Sequence, residues 1–349
     1  MSIVRIAAVR HALPSLRLTN DDVVGLVRAH NAALGSERLD AVEEAIRRFL
    51  ASAGTVVRYF VDPGTGEKAI DLALDAGRRA LAQGALAPEN VDFVIYCGVG
   101  RGWVEPAMAN VIQSELGLVN ANVFDVLDAC GSWLKALHIA HTFLSAGTYR
   151  AGLIVNCEAG FRHLADLSVQ GVEDLEHKAA ALTVGEAATA TVVLASEPAD
   201  EAYFRFRTEG RHHGLCMVPL ASHADFEVQA PDPRKVPGKF FSLSSELIGT
   251  GVRMIIETYQ ADPVLRAGTY DLIFGHAASR RASELLLRRL RLPLDRYVGT
   301  HERFGNTVSA SIPLGMSVAW DEERLRRGAR VLIVVGSAGL SVGFATFRY

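Results

Sequence analysis

VDFVIYCGV, residues 91–99, is a run of apolar, mostly β-branched or aromatic residues that closes on Gly98 and Gly100. Such a run predicts a strand covered on both faces, because a half-exposed strand would alternate apolar with polar residues. Five other runs share its character: AGLIVNC (151–157), ATATVVLA (188–195), YDLIFGH (270–276), RVLIVVG (330–336) and VGFATFRY (342–349). Helical patterns lie between them. AIDLALDAGRRALAQG (69–84) stops at Gly84, and SELLLRRLRL (283–292) ends before Pro293. Strands that alternate with helices predict an α/β fold. The helical segment 37–53 and the polar stretch 197–240 read as additions to this frame.

The first strand has a copy. Asp92 in VDFVIY and Asp271 in YDLIF are 179 positions apart, and so are Leu153 and Leu332 in AGLIVN and ARVLIV. Each half then closes with one more strand, ATATVVL in the first and VGFATF in the second. The reading is two similar α/β halves, 1–196 and 197–349, packed as one unit. A chain of 349 residues has ample material for that core.

Composition narrows the function. Hydrophobic residues make up 49% and charged residues 21%, which excludes a disordered or collagenous chain. Thirty-six basic against 39 acidic residues give a net charge of −3, with no global excess to bind nucleic acid. Arg5 and Arg10 interrupt any secretory apolar region at the start, and the apolar stretch 331–347 carries three glycines and reads as two strands around a turn. A protein of the cytoplasm, without membrane segments, is expected. Cys97, Cys130, Cys157 and Cys216 form neither a disulfide framework nor a CxxC metal pattern, and no HExxH-like spacing occurs, so no metal or other cofactor is expected.

Three residues stand in settings suited to chemistry. In FDVLDACGSWLKALHIAHTFL (124–144) a strand turns at Cys130 into a helix, where exposed N–H groups favour a thiolate and can hold an oxyanion. The alternative is a buried structural cysteine; Cys97, Cys157 and Cys216 lack such a setting and are read as core or incidental. His276 ends YDLIFGH, at the strand end where open α/β sheets place their ligands, although a histidine in that setting taken alone is more often a capping or hydrogen-bonded structural one. Asn306 follows Gly305 in a turn that leads into a helix with small residues Ser309, Ala310 and Ser311, and turns recruit asparagine without any catalytic need.

Taken together, DACGSWLKAL around Cys130, GHAAS around His276, RFGNTVSASIP around Asn306 and the terminal GSAGLSVGFATFRY resemble the ketoacyl synthase III branch of the thiolase superfamily. The likeness runs from about residue 54 to 349, and PAMANVIQSELGL (106–118) is similar to a helix of that family. The resemblance implies a five-layered αβαβα thiolase-like fold with internal duplication, a homodimer and a Cys-His-Asn site. Cys130 would then take an acyl group from a thioester, while His276 and Asn306 would stabilise the enolate of the second substrate. The N–H groups of Cys130 and Ala338 would form the oxyanion hole, provided that Ala338 keeps a negative φ.

Three positions depart from the family pattern. The HQAN-type motif reads His276-Ala277-Ala278-Ser279; the positions where many members stack an adenine hold Arg48 and Ser52; and Glu105 stands where many members extend an aromatic residue across the dimer. The second departure favours an acyl carrier protein thioester over acyl-coenzyme A. The third resembles head-to-head condensing members, in which a glutamate serves as the base at the second substrate's α-carbon. Arg280 and Arg281, with Arg288, Arg289 and Arg291, make a basic face, and Arg281 matches a position that contacts the acidic carrier. The expectation is therefore a Claisen-condensing acyltransferase of fatty-acid-like or polyketide metabolism. Decarboxylative condensation with a malonyl carrier protein, or acyl transfer to an alcohol or amine, are the alternatives.

Overall fold

In the computed structural model, residues 3–196, 202–228, 230, 232–276 and 278–349 are described. The chain runs through β1 (Ile3–Ala12), a two-stranded ribbon of β2 (Leu16–Thr19) and β3 (Val57–Phe60), then β4 (Phe93–Cys97), β5 (Asn122–Val126), β6 (Ala151–Glu158) and β7 (Ala187–Ser196). It continues with β8 (Tyr203–Thr208), a short ribbon of β9 (Cys216–Met217) and β10 (Phe241–Ser242), and then β11 (Leu272–Gly275), β12 (Tyr297–Val298), β13 (Arg330–Ser337) and β14 (Ser341–Arg348).

Two five-stranded sheets result, in the orders β1-β7-β6-β4-β5 and β8-β14-β13-β11-β12. In both, the first two pairings are antiparallel and the last two parallel. Even the register repeats: Phe93 faces Gly152, and Leu272 faces Val331, each 179 positions further on. β4 and β6 are buried along their whole length, as their unbroken apolar character predicts.

Helices fill three layers around the two sheets, giving the α/β five-layered, thiolase-like arrangement. Between the sheets lie Ser132–Ser145 and Ser311–Asp321, whose first residues are again 179 apart. Residues 311–319 are all buried, the mark of a helix enclosed on every side. One apolar cluster unites this layer, with Phe93, Ile95 and Trp133 from one half meeting Phe274, Ile312 and Ile333 from the other. The Trp133 indole donates to Thr191 at 3.0 Å, so its polar edge is satisfied inside that core. Ala69–Gln83 covers the outer face of the first sheet, and Ser244–Ala261 with Arg280–Leu290 covers the second.

The stretch 197–240 is not wholly an addition. β8 within it is the edge strand of the second sheet and pairs with β14, while residues 197–201, 229 and 231 lie outside the described residues. Its sequence YFRFRT alternates, so Phe204 and Phe206 pack inward against the central cluster; charged residues between them disguise the strand as a polar segment.

Candidate active site

Cys130 lies in a single 3-10 turn, Ala129–Gly131, immediately before the helix Ser132–Ser145. Ala129 holds φ 42°, unusual for a residue with a Cβ. The Ser132 hydroxyl donates to the Ala129 carbonyl at 2.7 Å and accepts the Asp128 N–H at 2.8 Å, which closes the turn. The thiol keeps part of its surface on a cavity but is otherwise packed round by protein. The expectation of a ready thiolate is corrected here. Burial pushes the Cys130 thiol well up, and the neighbouring Cys216, Glu158 and Asp128 push it further.

His276 follows β11, and its own N–H continues the sheet by donating to Val334 at 3.1 Å. Burial, reinforced by His301, lowers the imidazole pKa to about 4, with a hydrogen bond to the Val308 backbone opposing the shift. The ring is neutral at pH 7, so it can donate a hydrogen bond without carrying charge. Its Nδ1 lies 3.4 Å from the Ser311 hydroxyl. Ala277, next in the motif, lies outside the described residues.

Asn306 is clamped at its backbone, donating to Thr183 at 2.8 Å and accepting from Gly185 at 3.0 Å. Its Oδ1 accepts the Val308 N–H at 3.0 Å, which leaves the amide Nδ2 as the end available to a ligand. Gly305 at φ 71° makes the clamp feasible: a Cβ there would sit 2.7 Å from the Thr183 carbonyl.

The structure brings Cys130, His276, Asn306 and Ala338 to one cavity of about 330 Å³. Its remaining wall is largely apolar, with Phe49, Leu247, Ile248, Ile255 and Leu286 among the lining residues. Ala338, in the β13–β14 turn, is not among the residues with positive φ, which meets the condition for a backbone donor there. Ser52 also lines the cavity, whereas Arg48 is exposed and paired with Glu44 at 2.6 Å.

Other sequence-derived residues stand apart from it. Glu105 is exposed on the loop before the helix Met108–Glu115, beside Trp103, and does not line this chain's own cavity. Arg280 and Arg281 are exposed at the start of Arg280–Leu290. Arg280 is engaged by Glu284 at 2.9 Å and Glu302 at 3.1 Å, while Arg281 has no ion-pair partner among the described residues.

Cys216 needs correcting, for it is not incidental but lines the cavity beside Cys130. It sits in a two-residue strand held to β10, too short for any periodic signal. Ser337 was missed for another reason: it closes the eight-residue strand β13 as an ordinary turn serine, and its partners Asp128 and Gly131 lie in the other half of the sequence. Glu158 left a readable trace, an acid closing the buried strand AGLIVNCE, and it is fully buried.

The sequence matches the family models for 3-oxoacyl-[acyl-carrier-protein] synthase III over residues 124–210 and for the C-terminal part of the same enzyme over residues 263–349. The chain belongs to the ketoacyl synthase III branch of the thiolase superfamily. A β-ketoacyl-[acyl-carrier-protein] synthase III of Methylococcus capsulatus is 28% identical over 346 residues, covering 99% of this chain and 98% of that one. In fold, this ketoacyl synthase III member is similar to the 3-oxoacyl-[acyl-carrier-protein] synthase III of Aquifex aeolicus, with TM-score 0.81, 22% identity and coverage of 99% and 100%. It is equally similar to OleA of Xanthomonas campestris, with TM-score 0.81, 21% identity and coverage of 100% and 98%. It is an acyl-transferring, condensing enzyme of the ketoacyl synthase III type. No helix among the described residues is long and apolar enough to cross a membrane.

Proposed function

We propose that this enzyme joins two acyl groups on a Cys130 acyl-enzyme, by a head-to-head Claisen condensation in fatty-acid-like or polyketide metabolism. The observation that carries the reading is the convergence of Cys130, His276, Asn306 and Ala338 on one mainly apolar cavity. The Cys130 sulfur attacks the carbonyl of the incoming thioester, and its proton passes to the departing sulfur, so that the donor leaves as its free thiol. The N–H groups of Cys130 and Ala338 receive the charge on the oxygen at each tetrahedral stage. Neutral His276 and the Nδ2 of Asn306 then donate to the enolate oxygen of the second thioester, whose α-carbon attacks the acyl-enzyme and frees the Cys130 thiolate.

Glu105 acts as base at that α-carbon in the site of a partner subunit within a homodimer. Its exposure in the single chain beside the exposed apolar Trp103 and Val104 supports a role at such a boundary. The acyl donor is a carrier protein thioester delivered over the Arg281 face, since Arg48 and Ser52 offer no aromatic surface for an adenine. Glu105→Gln tests the head-to-head reading, because it keeps size but removes basicity. Acylation of Cys130 continues, condensation of two non-malonyl thioesters falls by about 10²–10⁴, and a malonyl substrate suffers far less. If both condensations continue unchanged, Glu105 is a surface carboxylate and decarboxylative condensation with a malonyl carrier protein is the better reading.

A further inference from the structure

The two turns that carry the proposed chemistry are each held by the end of a strand from the opposite sheet. Ala129–Gly131 bears Cys130, and its counterpart 179 positions on, Val308–Ala310, follows Asn306. Both begin with a non-glycine residue at positive φ, 42° at Ala129 and 46° at Val308. A β-branched residue is poorly suited to that conformation, which persists only where its surroundings impose it.

Glu158 ends β6 and Ser337 ends β13, and they too are 179 positions apart. The Ser337 hydroxyl accepts the Gly131 N–H at 3.0 Å and donates to the Asp128 carbonyl at 2.6 Å, so it grips the Cys130 turn from both sides. Glu158 reaches the other way. It accepts the Ser309 N–H at 3.2 Å and the Ser309 hydroxyl, and also the N–H groups of Val99 at 3.0 Å and Gly100 at 2.8 Å. The Ser309 hydroxyl in turn accepts from Asn156 Nδ2 at 2.9 Å.

The difference in residue type follows from counting donors. Ser337 meets one donor and one acceptor, which a hydroxyl satisfies; Glu158 meets four donors and no acceptor, which a carboxylate satisfies. Val308 passes the constraint onward. Its N–H fixes Asn306 Oδ1 at 3.0 Å, its carbonyl accepts the Ser311 hydroxyl at 2.9 Å, and its backbone bonds the His276 ring.

We propose that Glu158 and Ser337 are reciprocal positioning residues, Ser337 setting the Cys130 turn for acylation and Glu158 setting the Val308–Ala310 turn, and through it Asn306 and His276, for condensation. The inference rests on the roles given to those three residues under the proposed function.

The test separates the half-reactions in the full-length enzyme. Acylation is read by intact mass in a single turnover with an acyl thioester, and condensation from enzyme already acylated. Glu158→Gln, whose amide must turn a donor toward a donor, should slow condensation about 10- to 100-fold while acylation changes less than about threefold. Ser337→Ala should do the opposite. If Glu158→Gln does not fold, Ser309→Ala removes only the hydroxyl contact and should slow condensation selectively by about three- to tenfold. His276→Ala, run alongside, should suppress condensation alone. Should it not, the site roles are wrong. A normal His276→Ala result, with Glu158→Gln or its substitute and Ser337→Ala slowing both half-reactions alike or neither, overturns the brace while leaving the site intact.

Discussion

Lowering the pH should leave His276 uncharged far below the point at which an ordinary histidine protonates. Burial brings its pKa from 6.5 to about 4, a displacement of about 2.5 units or, at 1.36 kcal/mol per unit, about 3 kcal/mol. At about pH 5.5 the imidazole would be roughly 97% neutral, against roughly 9% for an unperturbed ring. The sign for stability follows. Between pH 6.5 and about 4 the unfolded chain binds the proton that the native ring refuses, so native stability falls as pH falls through that window. His11, His138, His141 and His177 are lowered as well, so the total slope is not diagnostic. The difference from His276→Gln is. Denaturant unfolding of both proteins across that range should show the native enzyme losing about 3 kcal/mol more than the variant by the acid end. The ring itself can be followed by nuclear magnetic resonance with the variant as the assignment control. A midpoint at or above pH 6, or parallel stability curves for the two proteins, would refute the claim that burial keeps the His276 ring neutral into the acid range.

Other outcomes follow from the same geometry. Cys130→Ala should abolish the acyl mass shift, whereas Cys97→Ala, Cys157→Ala and Cys216→Ala should retain it; acyl mass on the Cys130 variant would end the mechanism. Asn306→Ala should leave acylation largely intact and slow condensation by about 10²–10³, as loss of one oxyanion donor does, measured on preloaded enzyme. Arg281→Glu should raise KM for an acyl carrier protein substrate and hardly alter turnover of a pantetheine thioester, since no carboxylate pairs with Arg281 among the described residues. Equal effects on both substrates would place Arg281 in folding or in the cavity wall.

Much of the architecture was written locally. A strand covered on both faces announces itself in VDFVIYCGV and AGLIVNC without reference to anything distant. A duplicated framework adds a constant displacement between like strands, which one chain can display on its own. Cys130, His276 and Asn306 were legible because each sits where an element begins or ends, and such junctions have recognisable turn chemistry.

Tertiary structure decided the rest. Whether the Cys130 thiol ionises depends on how much protein surrounds it, and burial there pushes the thiol up, against the thiolate that the helix start alone suggests. Cys216 reaches the cavity through a two-residue ribbon whose partner, β10, lies 25 residues on at Phe241, a pairing without periodic signature. Glu158 and Ser309 are 151 residues apart, and Gly131 and Ser337 are 206 apart. A buried carboxylate or hydroxyl takes its meaning from the donors and acceptors folded against it. Those come from the opposite half of the molecule, so no local pattern could carry the information.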